Sequence, residues 1–142
     1  MILIPARGGS KRIPNKNLID LKGKPLISYA LECSLSVSDD VYVSTDSEDI
    51  AKLALAYGAS VIERPSSIAG DNTPANDVIK HFIDEVGFEG NFAYVQPTSP
   101  LIEPSFLQRA FNKLSEEDYD SVISVTRNTQ FFWDANHESV NF

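Results

Sequence analysis

Short β-rich runs alternate with helical patterns of about ten residues along this chain. The β-rich runs lie at 2–4, 40–45, 60–62, 91–96 and 121–125, and the helical patterns lie at 25–35, 47–57, 75–85 and 104–114. Strands that alternate with helices are joined by crossovers, which is typical of a parallel sheet with helices on both faces. The sequence therefore predicts a three-layer α/β/α fold with a mainly parallel sheet.

The predicted sheet also indicates where a ligand would bind. Right-handed crossovers place the loops that follow the strands along one edge of the sheet, and open α/β sheets bind ligands at this edge. These loops follow Ile4, Thr45, Ile62, Gln96 and Val125. At 142 residues, the chain is long enough for one domain of this kind.

Positive charge is concentrated at the start of the chain. The first 24 residues hold six of the twelve Lys and Arg residues and one acid, a net charge of +5, whereas the remaining 118 residues carry −13. The overall charge of −8 argues against a nucleic-acid-binding or anionic-membrane-binding surface. The basic segment instead predicts a small anionic ligand.

The basic segment contains a glycine-rich loop after the first strand. Gly8 and Gly9 permit close approach of the backbone, and Arg7, Lys11 and Lys16 can neutralise several phosphate oxygens. The loop matches neither the dinucleotide-binding fingerprint nor the Walker A sequence. We interpret it as a polyphosphate site, and the alternative is a solvated, charged turn.

The cysteine content and the hydropathy pattern bear on location. Cys33 is the single cysteine, so the chain forms no internal disulfide, and its apolar helical surroundings predict a buried structural thiol. No apolar run approaches the length of a membrane span. These features predict a cytoplasmic protein that does not bind membranes.

Five segments together resemble a known family. They are Ile4–Asn17, Gly23–Leu26, Val43–Asp46, Arg64–Pro65 and Gln96–Leu101. In order and spacing they closely resemble the N-terminal part of the acylneuraminate cytidylyltransferases, the CMP-sialic acid synthetases. The resemblance covers essentially the whole chain and implies a Rossmann-like nucleotidyltransferase fold. Cytidylyltransferases for pseudaminic, legionaminic and 3-deoxy-manno-octulosonic acids share parts of the pattern.

The resemblance implies a Mg²⁺-dependent nucleotidyl transfer. The anomeric hydroxyl of a nine-carbon keto-sugar acid attacks the α-phosphate of CTP, and pyrophosphate leaves. Arg7, Lys11 and Lys16 match the triphosphate contacts, and Lys16 is expected to stabilise charge that develops at the α-phosphate. The same loop is expected to complete the nucleotide site with Gly8, Ser10 and Asn17.

Two later loops are also expected to contribute to the site. The resemblance makes Arg64 and Asp71 nucleotide contacts and assigns Gln96 to the acceptor sugar. Arg7, Lys16 and Gln96 are therefore the expected catalytic residues. The alternative for Asp71 is a cap on the following helix, and the alternative for Gln96 is an ordinary strand-to-helix connection.

Asp46 has two interpretations. It ends the second predicted strand, at the edge where a ligand is expected. Its carboxylate either contacts the nucleotide or forms a turn that caps the next helix.

The matching region lacks parts of the family's machinery. The family's metal-binding aspartates, much of its sugar-binding surface and the arm that crosses to the partner subunit lie C-terminal to it. We therefore expect residues 1–142 to be a single nucleotide-binding domain, the N-terminal part of a longer, homodimeric enzyme. No protein metal ligands are expected here, and Mg²⁺ would bind through the CTP phosphates. Residues 131–133, Phe-Phe-Trp, are expected to pack against a missing segment or a partner subunit.

Two alternatives to an N-acylneuraminate cytidylyltransferase stay open. One is a cytidylyltransferase for legionaminic or another keto-sugar acid, because the acceptor-binding residues lie outside the matching region. The other is a truncated, non-catalytic CTP-binding module.

Overall fold

The structure is a computed structural model that describes residues 1–116, 119–127 and 133–140. Its elements in chain order are β1 (Ile2–Pro5), β2 (Asp20–Leu21), β3 (Lys24–Pro25), α1 (Leu26–Leu35), β4 (Val41–Thr45), α2 (Glu48–Tyr57), β5 (Ser60–Glu63), α3 (Ala75–Val86), β6 (Ala93–Tyr94) and α4 (Pro104–Glu116). Single turns of 3₁₀ helix lie at Lys16–Leu18 and Ser66–Ile68.

The main sheet has four parallel strands in the order β5-β4-β1-β6. In its centre Ile2 lies beside Val41 of β4 and Ala93 of β6. Parallel strands end at the same edge, so the loops that follow β1, β4, β5 and β6 lie on one side of the molecule. The predicted parallel sheet is confirmed.

The core lies on both faces of this sheet. Along β1, Ile2 and Ile4 point to one face and Leu3 to the other, as the two-residue period of a strand requires. The first face packs against α1, α2 and α4, and the second packs against α3, where Phe82 is fully buried. Cys33 of α1 lies in the core, and burial raises the pKa of its thiol. The predictions of three layers and of a buried thiol are confirmed.

Two helices begin or end as their sequences predict. The Ser47 hydroxyl accepts a hydrogen bond of 3.5 Å from the Ile50 N–H at the start of α2, and Gly58 ends that helix with φ of 94°. Gly87 ends α3 with φ of 63°. Both glycines occupy left-handed backbone conformations, which cost glycine little because it lacks a Cβ.

A small hairpin formed by β2 and β3 follows the glycine-rich loop and was not predicted. Its two-residue turn is Lys22 and Gly23, with φ of 54° and 93°, as expected of a type I′ turn. The Asp20 carboxylate accepts from the Gly23 N–H at 3.2 Å. The Tyr29 hydroxyl of α1 donates to the Leu21 carbonyl at 2.6 Å, so the hairpin is anchored to the domain.

The predictions for the last two strands are partly wrong. The β6 strand is limited to Ala93–Tyr94, and residues 121–127 form no strand. Ile123 and Val125 are 83% and 84% exposed. A β-rich sequence forms a strand only where a neighbour pairs with its backbone, and β6 offers a very short ladder at the sheet edge. Residues 131 and 132 of the Phe-Phe-Trp segment lie outside the described residues, and Trp133 is 60% exposed.

Candidate functional site

A cleft of about 270 Å³ lies at the carboxyl edge of the sheet. It is formed by the loop after β1, the loop between β5 and α3, and the end of β6. Seven of the predicted site residues line it, namely Arg7, Ser10, Lys16, Asn17, Arg64, Asp71 and Gln96. The remaining two predicted residues, Gly8 and Lys11, are not among the lining residues; Gly8 bonds to Asp46 and Lys11 pairs with Asp71. The structure thus brings three of the five segments singled out in the sequence, Ile4–Asn17, Arg64–Pro65 and Gln96–Leu101, to one cleft together with the loop that holds Asp71.

The glycine-rich loop is held from two sides. The buried Asn17 amide donates to the Arg7 carbonyl at 3.1 Å, and the Gly8 N–H donates to Asp46 Oδ1 at 2.8 Å. A Cβ on Gly8 would lie 2.9 Å from the Ser47 Cβ, closer than real Cβ contacts. Glycine is therefore required at this position because the loop lies directly against the start of α2.

These contacts give Asp46 a role that neither sequence interpretation foresaw. Ser47, not Asp46, caps α2, and Asp46 instead accepts the Gly8 N–H across 38 residues of sequence. Its charge also lies close enough to Arg64 to favour the charged form of that guanidinium.

Asp71 bridges two cations of the glycine-rich loop. Its Oδ1 accepts a hydrogen bond from Arg7 Nη2, and its Oδ2 lies 2.6 Å from Lys11 Nζ. The Asp71 and Arg7 side chains are 24% and 28% exposed, whereas Lys11 is 83% exposed. Hydrogen bonds, the larger effect from Lys11 and the smaller from Arg7, hold the pKa of the Asp71 carboxyl below its ordinary value. This carboxylate ties the loop between β5 and α3 to the glycine-rich loop.

Arg64 is a fixed, buried cation of the cleft. It is 6% exposed, and its Nε and Nη2 donate to the Ser44 hydroxyl and carbonyl at 3.0 and 2.6 Å. Burial lowers the pKa of Arg64, and the charges of Asp46 and Tyr94 oppose that shift. Arginine nevertheless stays protonated in proteins, so the cleft holds a permanent positive charge in a defined orientation.

Lys16 and Gln96 lie on different loops of the cleft, Lys16 after β1 and Gln96 after β6. Lys16 follows Asn15, which has a left-handed backbone with φ of 51°, and it begins the 3₁₀ turn. Among the residues that the structure describes, Lys16 forms no ion pair with a carboxylate. Gln96 follows Val95, whose N–H still donates to the Leu3 carbonyl at 2.9 Å, so Gln96 stands just beyond the parallel ladder.

Two residues of the site were missed by sequence reasoning. Tyr94 lines the cleft, and burial raises the pKa of its hydroxyl. It precedes Gln96 by two residues, so strand periodicity could have placed both on the same face. Ser44 is fully buried and holds Arg64, and a polar side chain within an otherwise apolar strand was a signal that it needs a partner.

Neither a clustered metal site nor a membrane span is found in the described parts of the chain. No group of three His, Cys, Asp or Glu side chains in those parts is placed to hold a metal ion. No helix in them is long and apolar enough to cross a membrane.

Comparison with known proteins relates this chain and its fold to a family. The family model described as Cytidylyltransferase matches residues 1–140. N-acylneuraminate cytidylyltransferase A of Danio rerio is 41% identical over 133 residues, which are 92% of this chain and 31% of that protein. Pseudaminic acid cytidylyltransferase of Campylobacter jejuni is 35% identical over 133 residues, covering 89% of this chain and 57% of that protein.

Solved structures support the same relationship. CMP:2-keto-3-deoxy-manno-octonic acid synthetase, solved in complex with CTP, superposes with a TM-score of 0.69 at 28% identity. The match covers 82% of this chain and 47% of that chain. The chain thus spans about a third of the length of the N-acylneuraminate relative and about half that of the structural relative.

Proposed function

The chain belongs to the cytidylyltransferase family, and we propose that it binds CTP in the cleft at the carboxyl edge of the sheet. We further propose that it forms the nucleotide-binding part of an enzyme that transfers CMP to an N-acylneuraminate. The observation that carries the proposal is the convergence of Arg7, Lys16, Arg64 and Gln96 on one cleft. This convergence joins the basic opening of the chain to two later loops.

Arg7, Lys11 and Lys16 are proposed to bind the triphosphate. They belong to the one strongly basic segment of an otherwise acidic chain, and Arg7 and Lys16 line the cleft. Transfer of a phosphoryl-type group depends on positioning and on neutralising negative charge, which these cations can supply. Gly8, Ser10 and Asn17 are proposed to complete this cradle with backbone and side-chain polar groups.

Arg64 and Gln96 are proposed to hold the rest of the reacting pair. The Arg64 guanidinium is fixed by Ser44, which leaves its remaining donors for the nucleoside portion of CTP. Gln96 lines the same cleft just beyond the end of β6, where its amide can bind a hydroxyl or carboxylate of the acceptor sugar.

The proposed reaction is a displacement at the α-phosphorus. The anomeric hydroxyl oxygen of the keto-sugar acid forms a bond to the α-phosphorus, and the bond from that phosphorus to the bridging oxygen of the β-phosphate breaks. Pyrophosphate leaves with the electron pair of that bond, and the hydroxyl proton passes to solvent. We propose that Lys16 lies nearest the charge that develops at the α-phosphate.

No group of three or more His, Cys, Asp or Glu side chains among the described residues is placed to hold a metal ion. We propose that Mg²⁺ binds the phosphate oxygens of CTP, because this ion keeps several waters and needs few protein ligands.

The comparisons are also compatible with two other functions, a different acceptor acid and a CTP-binding module without catalysis. Relatives that cover most of this chain include a pseudaminic acid enzyme, so another nonulosonic acid such as legionaminic acid is the second candidate acceptor. The chain covers 31% of the N-acylneuraminate relative, so a CTP-binding module without catalysis is the third candidate. A homodimeric, cytoplasmic enzyme is proposed only for the longer protein.

Pyrophosphate release tests these candidates. The proposed enzyme releases pyrophosphate from CTP only when N-acetylneuraminate and Mg²⁺ are both present. Release with legionaminic or pseudaminic acid, but not with N-acetylneuraminate, would support the second candidate. CTP binding by calorimetry without release in any mixture would support the third. Absence of CTP binding would contradict all three.

A further inference from the structure

The ion pairs of Asp71 occupy the same cations to which we assign the phosphates. We propose that Asp71 is an internal competitor whose carboxylate leaves Arg7 and Lys11 when the phosphates of CTP bind, and recaptures them as pyrophosphate leaves. This inference rests on the proposed function and extends it, because it gives Asp71 a part in nucleotide exchange instead of a direct contact with the nucleotide.

The geometry places the carboxylate within the proposed phosphate site. Both of its oxygens are engaged, Oδ1 by Arg7 and Oδ2 by Lys11 at 2.6 Å. Its neighbours in the loop, Gly70 and Thr73, also line the cleft. Asp71 therefore satisfies cations of the glycine-rich loop from a separate loop, the one between β5 and α3.

The chemistry of the three groups makes this competition direct. A guanidinium and an ammonium bind carboxylate and phosphate oxygens through the same N–H donors, so one donor cannot fully serve both. A triphosphate carries several negative charges where Asp71 carries one, and it has the advantage at both cations. Lys11 is 83% exposed, so its pair with Asp71 is weak enough to be exchanged.

Lys16 differs from Arg7 and Lys11, and it offers a first contact for the phosphates that replace the Asp71 carboxylate. It lines the cleft, and the described parts of the chain give it no carboxylate partner. An incoming phosphate can therefore contact Lys16 before Asp71 releases Arg7 and Lys11.

The competing role of Asp71 predicts the direction in which ligand affinity changes when its charge is removed. If Asp71 competes with phosphates, its neutralisation strengthens the binding of every ligand that uses the two cations. If Asp71 instead bonds the ribose or the base, the same change weakens binding of the nucleoside.

Isothermal titration of the full chain with CTP, inorganic pyrophosphate and cytidine separates these roles. We expect Asp71→Asn to lower the Kd of CTP and of pyrophosphate by about three- to tenfold, the range for losing one partly buried and one largely exposed ion pair. The Kd of cytidine is expected to stay unchanged. Asp71→Glu keeps the charge, and its Kd values are expected to stay within about twofold of the parent protein.

A matched variant controls for net charge. Asp84 is exposed on α3, and Asp84→Asn removes the same charge away from the Arg7 and Lys11 pairs. Its effect on pyrophosphate binding is expected to be much smaller than that of Asp71→Asn. Circular dichroism verifies that both variants are folded.

The outcomes are distinct. Tighter binding of CTP and pyrophosphate in Asp71→Asn alone supports competition. Unchanged or weaker binding of either ligand, with the parent protein binding CTP normally, overturns the competition and leaves the proposed function standing. If the parent protein binds neither CTP nor pyrophosphate, the proposed function itself is overturned.

Discussion

The Gly8 N–H donates a hydrogen bond of 2.8 Å to Asp46 Oδ1, which links the glycine-rich loop to the end of β4. This bond joins residues 38 positions apart in the sequence. Together with the Asn17 bond to the Arg7 carbonyl, it fixes the backbone from which the Arg7 side chain enters the cleft. The phosphate-binding loop that we propose is therefore held in place by its neighbours.

The hydrogen bond from Gly8 to Asp46 can be tested with two substitutions that both remove the negative charge of Asp46. Asp46→Ala removes the acceptor for Gly8, whereas Asp46→Asn keeps an acceptor oxygen at the same place. We expect CTP to bind about fivefold more weakly to Asp46→Ala than to Asp46→Asn, the equivalent of about 1 kcal/mol for one hydrogen bond. Equal Kd values by titration calorimetry would show that the hydrogen bond does not position the loop.

Gly8 and Gly9 form a natural pair for testing close packing. Gly8→Ala would bring a Cβ to 2.9 Å from the Ser47 Cβ, whereas a Cβ on Gly9 meets nothing within 4 Å. We expect Gly8→Ala to lose about 1–3 kcal/mol of unfolding free energy in urea, and Gly9→Ala to lose less than about 0.5 kcal/mol. Adding Ser47→Gly should restore part of the loss, because it removes the opposing Cβ. No rescue would contradict this cause.

Ser44 and Ser34 are both fully buried, but only Ser44 has a partner for its hydroxyl. Ser44→Ala leaves the Arg64 Nε without that acceptor, and we expect it to destabilise the protein by about 1–3 kcal/mol. Ser34→Ala removes a hydroxyl that is unsatisfied in the structure, so it is expected to be neutral or slightly stabilising. Urea denaturation of both variants measures the difference. The Ser44 role would be contradicted if the two variants were equally stable.

Lys16 is proposed to act on the developing charge more than on binding. Lys16→Ala should reduce pyrophosphate release by about 100-fold or more while raising the Kd of CTP by less than about tenfold. Lys52→Ala, at an exposed pair with Glu48 on α2, removes the same charge outside the cleft and should change neither quantity appreciably. A raised Kd of CTP with unchanged pyrophosphate release at saturating CTP would instead give Lys16 a uniform binding role.

The pH dependence of stability follows from the lowered pKa of Asp71. Because its folded pKa lies below the ordinary value, its ion pairs with Lys11 and Arg7 stabilise the fold above the unfolded-state pKa. This contribution is lost as the pH falls through the lowered folded pKa. Near neutral pH, the melting temperature of the parent protein should therefore be higher than that of Asp71→Asn. The difference between the two melting temperatures should shrink as the solution is made acidic. A gap that widens in acid would contradict the sign.

Much of the fold could be predicted because its signals are local. The alternation of β-rich and helical patterns predicted the parallel sheet, and Ser47, Gly58 and Gly87 marked ends of helices that the structure confirms. The strand expected at 121–125 was wrong because strand propensity cannot supply a pairing partner. The hairpin turn at Lys22 was missed because a lysine in a left-handed conformation leaves little trace in sequence.

The sequence alone determined that the loops after β1, β4, β5 and β6 meet at the carboxyl edge and that this edge carries concentrated positive charge, whereas the fifth loop it placed there, after Val125, follows no strand. Topology follows from the order of the elements, and charge follows from composition. Only the tertiary structure decided which groups pair there, namely Arg7 with Asp71, Gly8 with Asp46 and Arg64 with Ser44, over separations of 64, 38 and 20 residues. Periodicity reports on neighbours within one element, whereas these contacts depend on how three crossovers bring distant loops within hydrogen-bonding distance.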